Sequence, residues 1–228
     1  MKPLETLAVV TTPDGATLML QRHDGDFVIR VDGHVLMSSR SHASESALAA
    51  MALENVRARR IASPRILVGG LGLGFTLRTL LEGLPETARV RVAELSPAIV
   101  EWNRTFIDAR ALDDPRVEVT VADVGKELRR RVAAYDAILL DVDNGPSALT
   151  QRSNRSLYGA LALRQARSLV APGGVYVVWS AGRDDAFLRR MRESGFEAKM
   201  VDAGGGSHVL FVGTAPRATA SGTSNRAR

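Results

Sequence analysis

The 228-residue sequence contains no cysteine, so it can form neither disulfides nor thiolate metal sites and has no thiol nucleophile. It has no apolar run near the roughly 20 residues that a membrane-spanning helix needs, and its first residues lack the basic start and apolar core of a secretory signal. We therefore expect a cytoplasmic protein with no membrane partner. Hydrophobic residues make up 45% of the chain, which is enough for one sizeable core.

Lysine is also scarce, and the formal charge of +5 rests on arginine, because the only lysines are Lys2, Lys126 and Lys199. Many arginines fall in helix-like stretches, where a solvated face is the usual interpretation, and only 5% of the residues are aromatic. We therefore do not expect nucleic acid as a partner. The four histidines are not grouped at ligand spacing, so no metal site is predicted.

The hydrophobic pattern divides the chain into three parts. Residues 1–40 contain apolar segments at 7–10, 16–20 and 27–31 separated by Asp-Gly-type turns, which predicts a small N-terminal antiparallel β meander. Residues 41–215 alternate apolar strands with helices, which predicts a parallel sheet covered on both faces. Residues 216–228 are small, polar and basic, and we interpret them as a disordered tail.

The second part carries more detailed predictions. Its helices include 75–81, 97–104 and 124–132, and a turn at Pro172-Gly173-Gly174 precedes a strand at 175–179. Its last two strands, near 197–201 and 208–212, are joined by so few residues that they must pair antiparallel. The fold class is therefore α/β, with the class I methyltransferase (Rossmann-like) sheet that finishes in a C-terminal antiparallel hairpin.

Glycines cluster in residues 70–74 (Gly-Leu-Gly-Leu-Gly), where the first strand of the parallel part turns into a helix. Glycine lets the backbone approach a ligand, which the helix N-terminus then faces. A dinucleotide fingerprint would have its third glycine at position 75, which is Phe75, so Gly70, Gly72 and Gly74 favour a nucleoside over NAD. The alternative is a tight strand–helix turn that binds nothing.

Acidic residues follow the next three strands. Glu94 can accept hydrogen bonds from both ribose hydroxyls, or it can cap a helix. Asp123 either accepts from the adenine amine, with Val124 against the ring, or caps the next helix. Asp141 and Asp143 suit an acceptor amine, since one carboxylate can orient it while the other takes its proton; the alternative is a structural Asx-turn.

Together these motifs resemble the polyamine aminopropyltransferase (spermidine synthase) family, within the class I methyltransferase superfamily, over about residues 25–212. The segments that carry the resemblance are 31–35 (VDGHV), 70–78 (GLGLGFTLR), 92–95 (VAEL), 114–119 (DPRVEV) and 135–141 (YDAILLD). The resemblance implies a ribose site at Glu94 and Leu95, an adenine site at Asp123, and Asp141 as the base that deprotonates the attacking amine. It further implies decarboxylated S-adenosylmethionine as the donor, putrescine or a similar amine as the acceptor, and a homodimer.

The sequence departs from this family at the positions that decide its specificity, both for the donor's aminopropyl end and for the acceptor. Leu73 stands where the family has an acid, residues 45–47 (Glu-Ser-Ala) align with its Tyr-His-Glu, and Asn144 replaces its second loop aspartate. Each lost carboxylate removes charge-assisted hydrogen bonds worth roughly 1.5–3 kcal/mol, so ordinary putrescine recognition is not expected. Instead we expect Glu45, Asn144 and Trp179 to contact the substrate; for Trp179 the alternative is a place in the core.

The leading hypothesis is therefore an enzyme that transfers an aminopropyl or methyl group from decarboxylated S-adenosylmethionine, or from S-adenosylmethionine itself, to a small amine acceptor. Leu73 favours methyl transfer, because it gives no help to the donor's amine, whereas the resemblance favours aminopropyl transfer. Two alternatives stay open: a non-catalytic nucleoside-binding protein of the same fold, and a nucleic-acid methyltransferase that uses the arginines.

Overall fold

A computed structural model describes residues 4–13, 15–130, 134–142, 157–204 and 207–217. Its first sheet is antiparallel, with the order β1-β2-β3-β4. The strands are β1 (Glu5–Thr11), β2 (Thr17–His23), β3 (Asp26–Val31) and β4 (His34–Ser38). Three of them correspond to predicted segments. The fourth, β4, is not predicted by alternation, because its neighbouring apolar side chains Val35 and Leu36 are both exposed.

The second sheet has seven strands in the order β10-β11-β9-β8-β5-β6-β7. The strands are β5 (Arg65–Gly69), β6 (Arg89–Glu94), β7 (Val117–Val121), β8 (Tyr135–Leu140), β9 (Val170–Ser180), β10 (Glu197–Asp202) and β11 (Val209–Thr214). Strands β5 to β9 pair in parallel, and β11 pairs antiparallel with both β9 and β10. The predicted fold class, including the C-terminal hairpin, is confirmed.

Helices connect these strands. They are α1 (Ala43–Ala58), α2 (Phe75–Gly83), α3 (Pro97–Trp102), a π-helix (Asn103–Ile107), α4 (Ala109–Leu112), α5 (Val124–Glu127), α6 (Ala160–Leu169) and α7 (Asp185–Glu193). None of the helices in the described ranges is long and apolar enough to cross a membrane.

Three predictions of local structure are wrong. The helix predicted over 124–132 ends at Glu127, because the chain turns there to bury Leu128 and to bring Arg130 back onto the buried Glu127 carboxylate. The helix predicted over 97–104 gives way to the π-helix after Trp102. The turn predicted at 172–174 lies within β9, where the pairing with β8 passes from Val170 directly to residue 175 and the intervening residues form a bulge.

The core lies on both faces of the seven-stranded sheet. On one face, strand residues pack with α1, α2 and the first sheet, so that Leu20 and Ile29 belong to the same buried cluster as Leu48 of α1. On the other face, the strands pack with α6 and α7. The division of the chain at residue 40 stays a prediction. The carboxyl ends of β5, β6 and β8 lie at one edge, where the strand order reverses between β5 and β8.

Candidate functional site

The glycine loop, residues 70–74, joins β5 to α2 in a conformation that requires glycine. Gly70, Gly72 and Gly74 all have positive φ, of 92°, 53° and 79°. A side chain at Gly70 would overlap the carbonyl oxygen of Asp141, and Gly74 is the residue that precedes the first turn of α2. The sequence therefore keeps the loop backbone bare where it faces the carboxyl edge of the sheet.

Glu94 ends β6 directly beside this loop. Its side chain is buried, Oε2 accepts a hydrogen bond from the Leu71 amide and Oε1 accepts one from the Ser96 amide, both at 2.8 Å. Burial raises the pKa of Glu94, and the backbone amides, Ser96 first among them, oppose that rise. The side chain of Ser96 caps α3, and Glu94 bonds the amide of that cap residue, so the capping alternative for Glu94 is present in part. The backbone amides of Gly72 and Leu95 also bond to this carboxylate, and the ribose role of Glu94 stays a prediction.

An apolar surface lies next to Glu94. Leu95 is 67% exposed, and Val121, which pairs in register with Glu94, is 52% exposed at the end of the neighbouring strand β7. Exposed aliphatic side chains that flank a buried carboxylate can cover an adenine ring. The position of Leu95 agrees with its predicted place in a nucleoside site, although no ligand contact tests the assignment.

Asp123 and Val124, the two residues predicted at the adenine ring, follow the end of β7. Val124 is buried, and its Cγ2 lies 2.7 Å from where a Cβ on Gly69 would be, so it packs on β5 in the core. Asp123 caps α5, since its Oδ1 accepts from the Gly125 amide at 2.7 Å. The capping alternative for Asp123 is thus present, and its adenine role stays a prediction.

Asp141 follows β8, with its amide bonded to the Gly69 carbonyl at 2.8 Å. The Thr76 hydroxyl, on the first turn of α2, donates to Oδ2 of Asp141 at 3.4 Å. Burial raises the pKa of Asp141 to about 7, and the negative charges of Glu45 and Glu94 add to the rise while the Thr76 bond opposes it. Carboxylates from α1, β6 and β8 therefore act on one another at this edge, including Glu45, which the sequence predicts as a substrate contact.

Trp179 lies on the strand next to Asp141. Leu139 pairs with Val177, so Trp179 and Asp141, two residues further along their strands, occupy neighbouring positions on the same sheet face. The indole is half-buried, its ring is edge-on to His208 at 5.0 Å, and its Nε1 is buried without a hydrogen-bond partner in the described part of the chain. Its predicted substrate contact stays untested. Asp143 and Asn144 lie outside the described residues.

Two further side chains contact the glycine loop, and no pattern in the sequence predicts either contact. Met37 of β4 lies against Gly72, with its Sδ 2.9 Å from where a Cβ on that glycine would be. Asn103 donates from Nδ2 to the Gly72 carbonyl at 2.8 Å. Both contacts join segments far apart in the chain, so local sequence patterns could not predict them. In the described ranges, no group of three or more His, Asp and Glu side chains is placed to hold a metal ion.

A test of this electrostatic picture is stability at different pH values. The pKa of Asp141 rises from 3.8 to about 7 on folding, so its contribution to stability is lost as the pH increases through that interval. Asp141→Asn removes the charge, and at pH 8 it should therefore stabilise the protein by up to about 4 kcal/mol relative to wild type, with little difference near pH 4. Urea unfolding of both proteins measures this; a difference that does not change with pH would contradict the raised pKa.

Comparisons with known proteins show what the chain is similar to in sequence and in fold. No family model matches the chain. A polyamine aminopropyltransferase of Mycobacterium tuberculosis (strain H37Rv) is 34% identical over 119 residues, which cover 50% of this chain and 22% of that protein. The chain resembles the polyamine aminopropyltransferases. Because the match spans less than a quarter of that relative, it does not by itself establish an activity.

Solved structures confirm the fold of this polyamine aminopropyltransferase-like chain. A probable spermidine synthase from Corynebacterium glutamicum has a TM-score of 0.70 at 21% identity, covering 94% of this chain and 81% of that one. A spermidine synthase in complex with the transition state analogue AdoDATO has a TM-score of 0.69 at 15% identity, covering 92% and 72%. The resemblance predicted from the motifs is thus confirmed. At these sequence identities, the structural similarity shows a shared fold.

Proposed function

We propose that this chain is a transferase that moves an aminopropyl group from decarboxylated S-adenosylmethionine to a small amine. The observation that carries the proposal is Asp141, a partly buried carboxyl group whose pKa is raised to about 7, beside the glycine loop and in the field of Glu45 and Glu94. A carboxyl group with this pKa can remove a proton at neutral pH. The resemblance to polyamine aminopropyltransferases supports aminopropyl over methyl transfer.

The residues present fit an adenosyl donor. Glu94 places a carboxylate at the end of β6 directly beside the glycine loop, and Leu95 and Val121 expose apolar surface next to it. When bound there, the donor supplies an electrophilic carbon next to a sulfonium. The chain's own task is then to position the acceptor in line with that carbon and to manage its proton.

The carboxylates define what the acceptor must be. An alkyl amine is cationic at neutral pH, and the combined negative charge of Glu45, Glu94 and Asp141 favours a cation at this edge of the sheet. Asp141 takes the proton that the amine loses, so that the nitrogen lone pair can form the new N–C bond as the C–S bond breaks. Thr76 holds one oxygen of Asp141 during this step.

A direct assay separates this proposal from its alternatives. The protein is incubated with decarboxylated S-adenosylmethionine or S-adenosylmethionine and a panel of diamines and longer polyamines, and products are identified by mass spectrometry. We expect an aminopropylated amine together with methylthioadenosine, formed from the decarboxylated donor, with putrescine a poor acceptor because residues 45–47 and Asn144 differ from the family's acceptor residues. A methylated product would indicate methyl transfer instead. Nucleoside binding without any product would contradict an enzyme.

The pH dependence of the same reaction follows from Asp141. Below its pKa of about 7 this group is protonated and cannot act as a base, so kcat/KM for the amine should fall as the pH decreases through 7, by about tenfold for each pH unit below it. Initial rates from pH 5.5 to 8.5 measure the profile. An acidic limb centred near the ordinary aspartate pKa would contradict the assignment of the base to Asp141.

A further inference from the structure

The backbone polar groups of the glycine loop are paired one by one. The Gly70 amide donates to the Ala93 carbonyl at 2.9 Å, the Leu71 amide donates to Glu94 at 2.8 Å, and the Gly74 amide donates to the Leu71 carbonyl at 2.8 Å. These bonds hold the two ends of the loop. At the middle of the loop, the Gly72 amide bonds to the Glu94 carboxylate and the Gly72 carbonyl accepts from the side chain of Asn103.

Asn103 is itself fixed before it reaches the loop. Its side chain is 2% exposed, and Nδ2 donates both to Gly72 and, at 2.9 Å, to the Ile99 carbonyl one turn earlier in its own helix. Two carbonyl partners require the NH₂ group of the amide on that side, which sets the side chain's orientation. Asn103 also begins the π-helix, where its carbonyl accepts from the Asp108 amide five residues later. The widened turn is typical of functional sites.

Gly72 is also confined from other directions. A Cβ on Gly72 would lie 2.9 Å from the Met37 sulfur, and a Cβ on Gly74 would lie 3.0 Å from Oδ1 of Asn103. The same asparagine therefore bonds the carbonyl of one loop glycine and packs against the next. If Asn103 is removed, the Gly72 carbonyl loses its buried donor, and this hydrogen bond no longer fixes the orientation of the peptide after Gly72.

We propose that Asn103 is a positioning residue of the donor site, which keeps the glycine loop in the shape that accepts the nucleoside. The proposal rests on the proposed function in one respect, that the loop binds the donor. Asn103 contacts the loop and not the donor, so its loss should weaken donor binding through the shape of the loop and leave the acceptor's KM unchanged.

The most informative variant is Asn103→Ser. A serine in a helix can still donate to the carbonyl four residues earlier, so it keeps the bond to Ile99 and loses the bridge to Gly72. We expect the Kd for methylthioadenosine to rise roughly tenfold, which is the effect of losing one buried hydrogen bond, and amide hydrogen exchange in residues 71–74 to become faster. Asn103→Ala, which loses both bonds, should show at least the same increase in Kd.

Val100→Ala is the matched control for a loss of core packing, because Val100 is a buried residue of α3 in the hydrophobic core and its side chain cannot donate to the Gly72 carbonyl. It should lower the unfolding temperature without changing the Kd. If Val100→Ala and Asn103→Ser weaken binding equally at equal loss of stability, Asn103 is only structural and the proposal fails. If the wild type binds no nucleoside, the proposed function fails. The role of Asn103 in holding the loop is tested separately: it fails if amide hydrogen exchange in residues 71–74 is the same in Asn103→Ser as in wild type.

Discussion

Asp141→Asn is expected to slow group transfer by roughly 10²–10⁴-fold while leaving the Kd for methylthioadenosine within about twofold of wild type. Asparagine has nearly the same size and can still accept the Thr76 hydrogen bond, but it cannot take a proton from the amine. The pKa of Asp141 is raised because its charged form is destabilised by burial and by the nearby carboxylates. Shifted pKa values of this kind are typical of catalytic residues. Single-turnover rates with saturating donor measure the effect.

Asp32→Asn is the matched control for this variant. Asp32 lies in the turn between β3 and β4 with a φ of 48°, which asparagine also tolerates, and its Oδ1 accepts from the Thr17 amide, as an asparagine Oδ1 can. We expect unchanged transfer in this control. If Asp141→Asn retains more than about a tenth of the wild-type rate, Asp141 is not the base.

Glu94→Ala should abolish nucleoside binding, with a Kd at least about 100-fold higher. The change removes the acceptor proposed for the ribose hydroxyls, and it also leaves the buried Leu71 and Ser96 amides without the partner that fixes the loop. Both losses weaken nucleoside binding, because the same Glu94 carboxylate bonds to the loop and is proposed to bond to the ribose. Calorimetric titration with methylthioadenosine checks this expectation.

Glu94→Gln separates the two losses. Glutamine has one acceptor oxygen, so it can keep one of the two amide bonds but presents NH₂ where the other amide donates. We expect an intermediate Kd and a far-ultraviolet spectrum like that of wild type. If Glu94→Ala folds normally and binds methylthioadenosine as tightly as wild type, the nucleoside site is not at the end of β6.

The features predicted from the sequence are those that depend on local chemistry. Short apolar segments between turn signals indicated the strands, and the glycines at positions 70, 72 and 74 indicated a sharp turn from strand to helix, where the structure gives all three a positive φ. Glu94 and Asp141 were predicted at strand ends because parallel strands place their carboxyl ends at one edge. Each of these inferences needs only the order of residues within about 20 positions.

The features that could not be predicted depend on contacts across the chain. Val124 follows the end of a strand, which is where a residue that contacts adenine is expected. In the structure its side chain packs in the core, in the space that a side chain on Gly69 would fill. Met37 reaches the glycine loop from another sheet, and the π-helix that positions Asn103 has no sequence signature. The charge of Glu45 raises the pKa of Asp141 only because α1 packs beside β8. Helix periodicity alone does not predict which strand a helix packs against.

The central claim is that the glycine loop and the end of β6 hold an adenosyl nucleoside. Titration of ¹⁵N-labelled protein with methylthioadenosine, followed by two-dimensional NMR, tests it residue by residue. The largest amide shift changes are predicted in residues 70–74 and 94–96, with smaller ones near Val121 and none in β1–β4 except at Met37, which touches the loop. No saturable shift, or shifts centred away from residues 70–74 and 94–96, would contradict the claim.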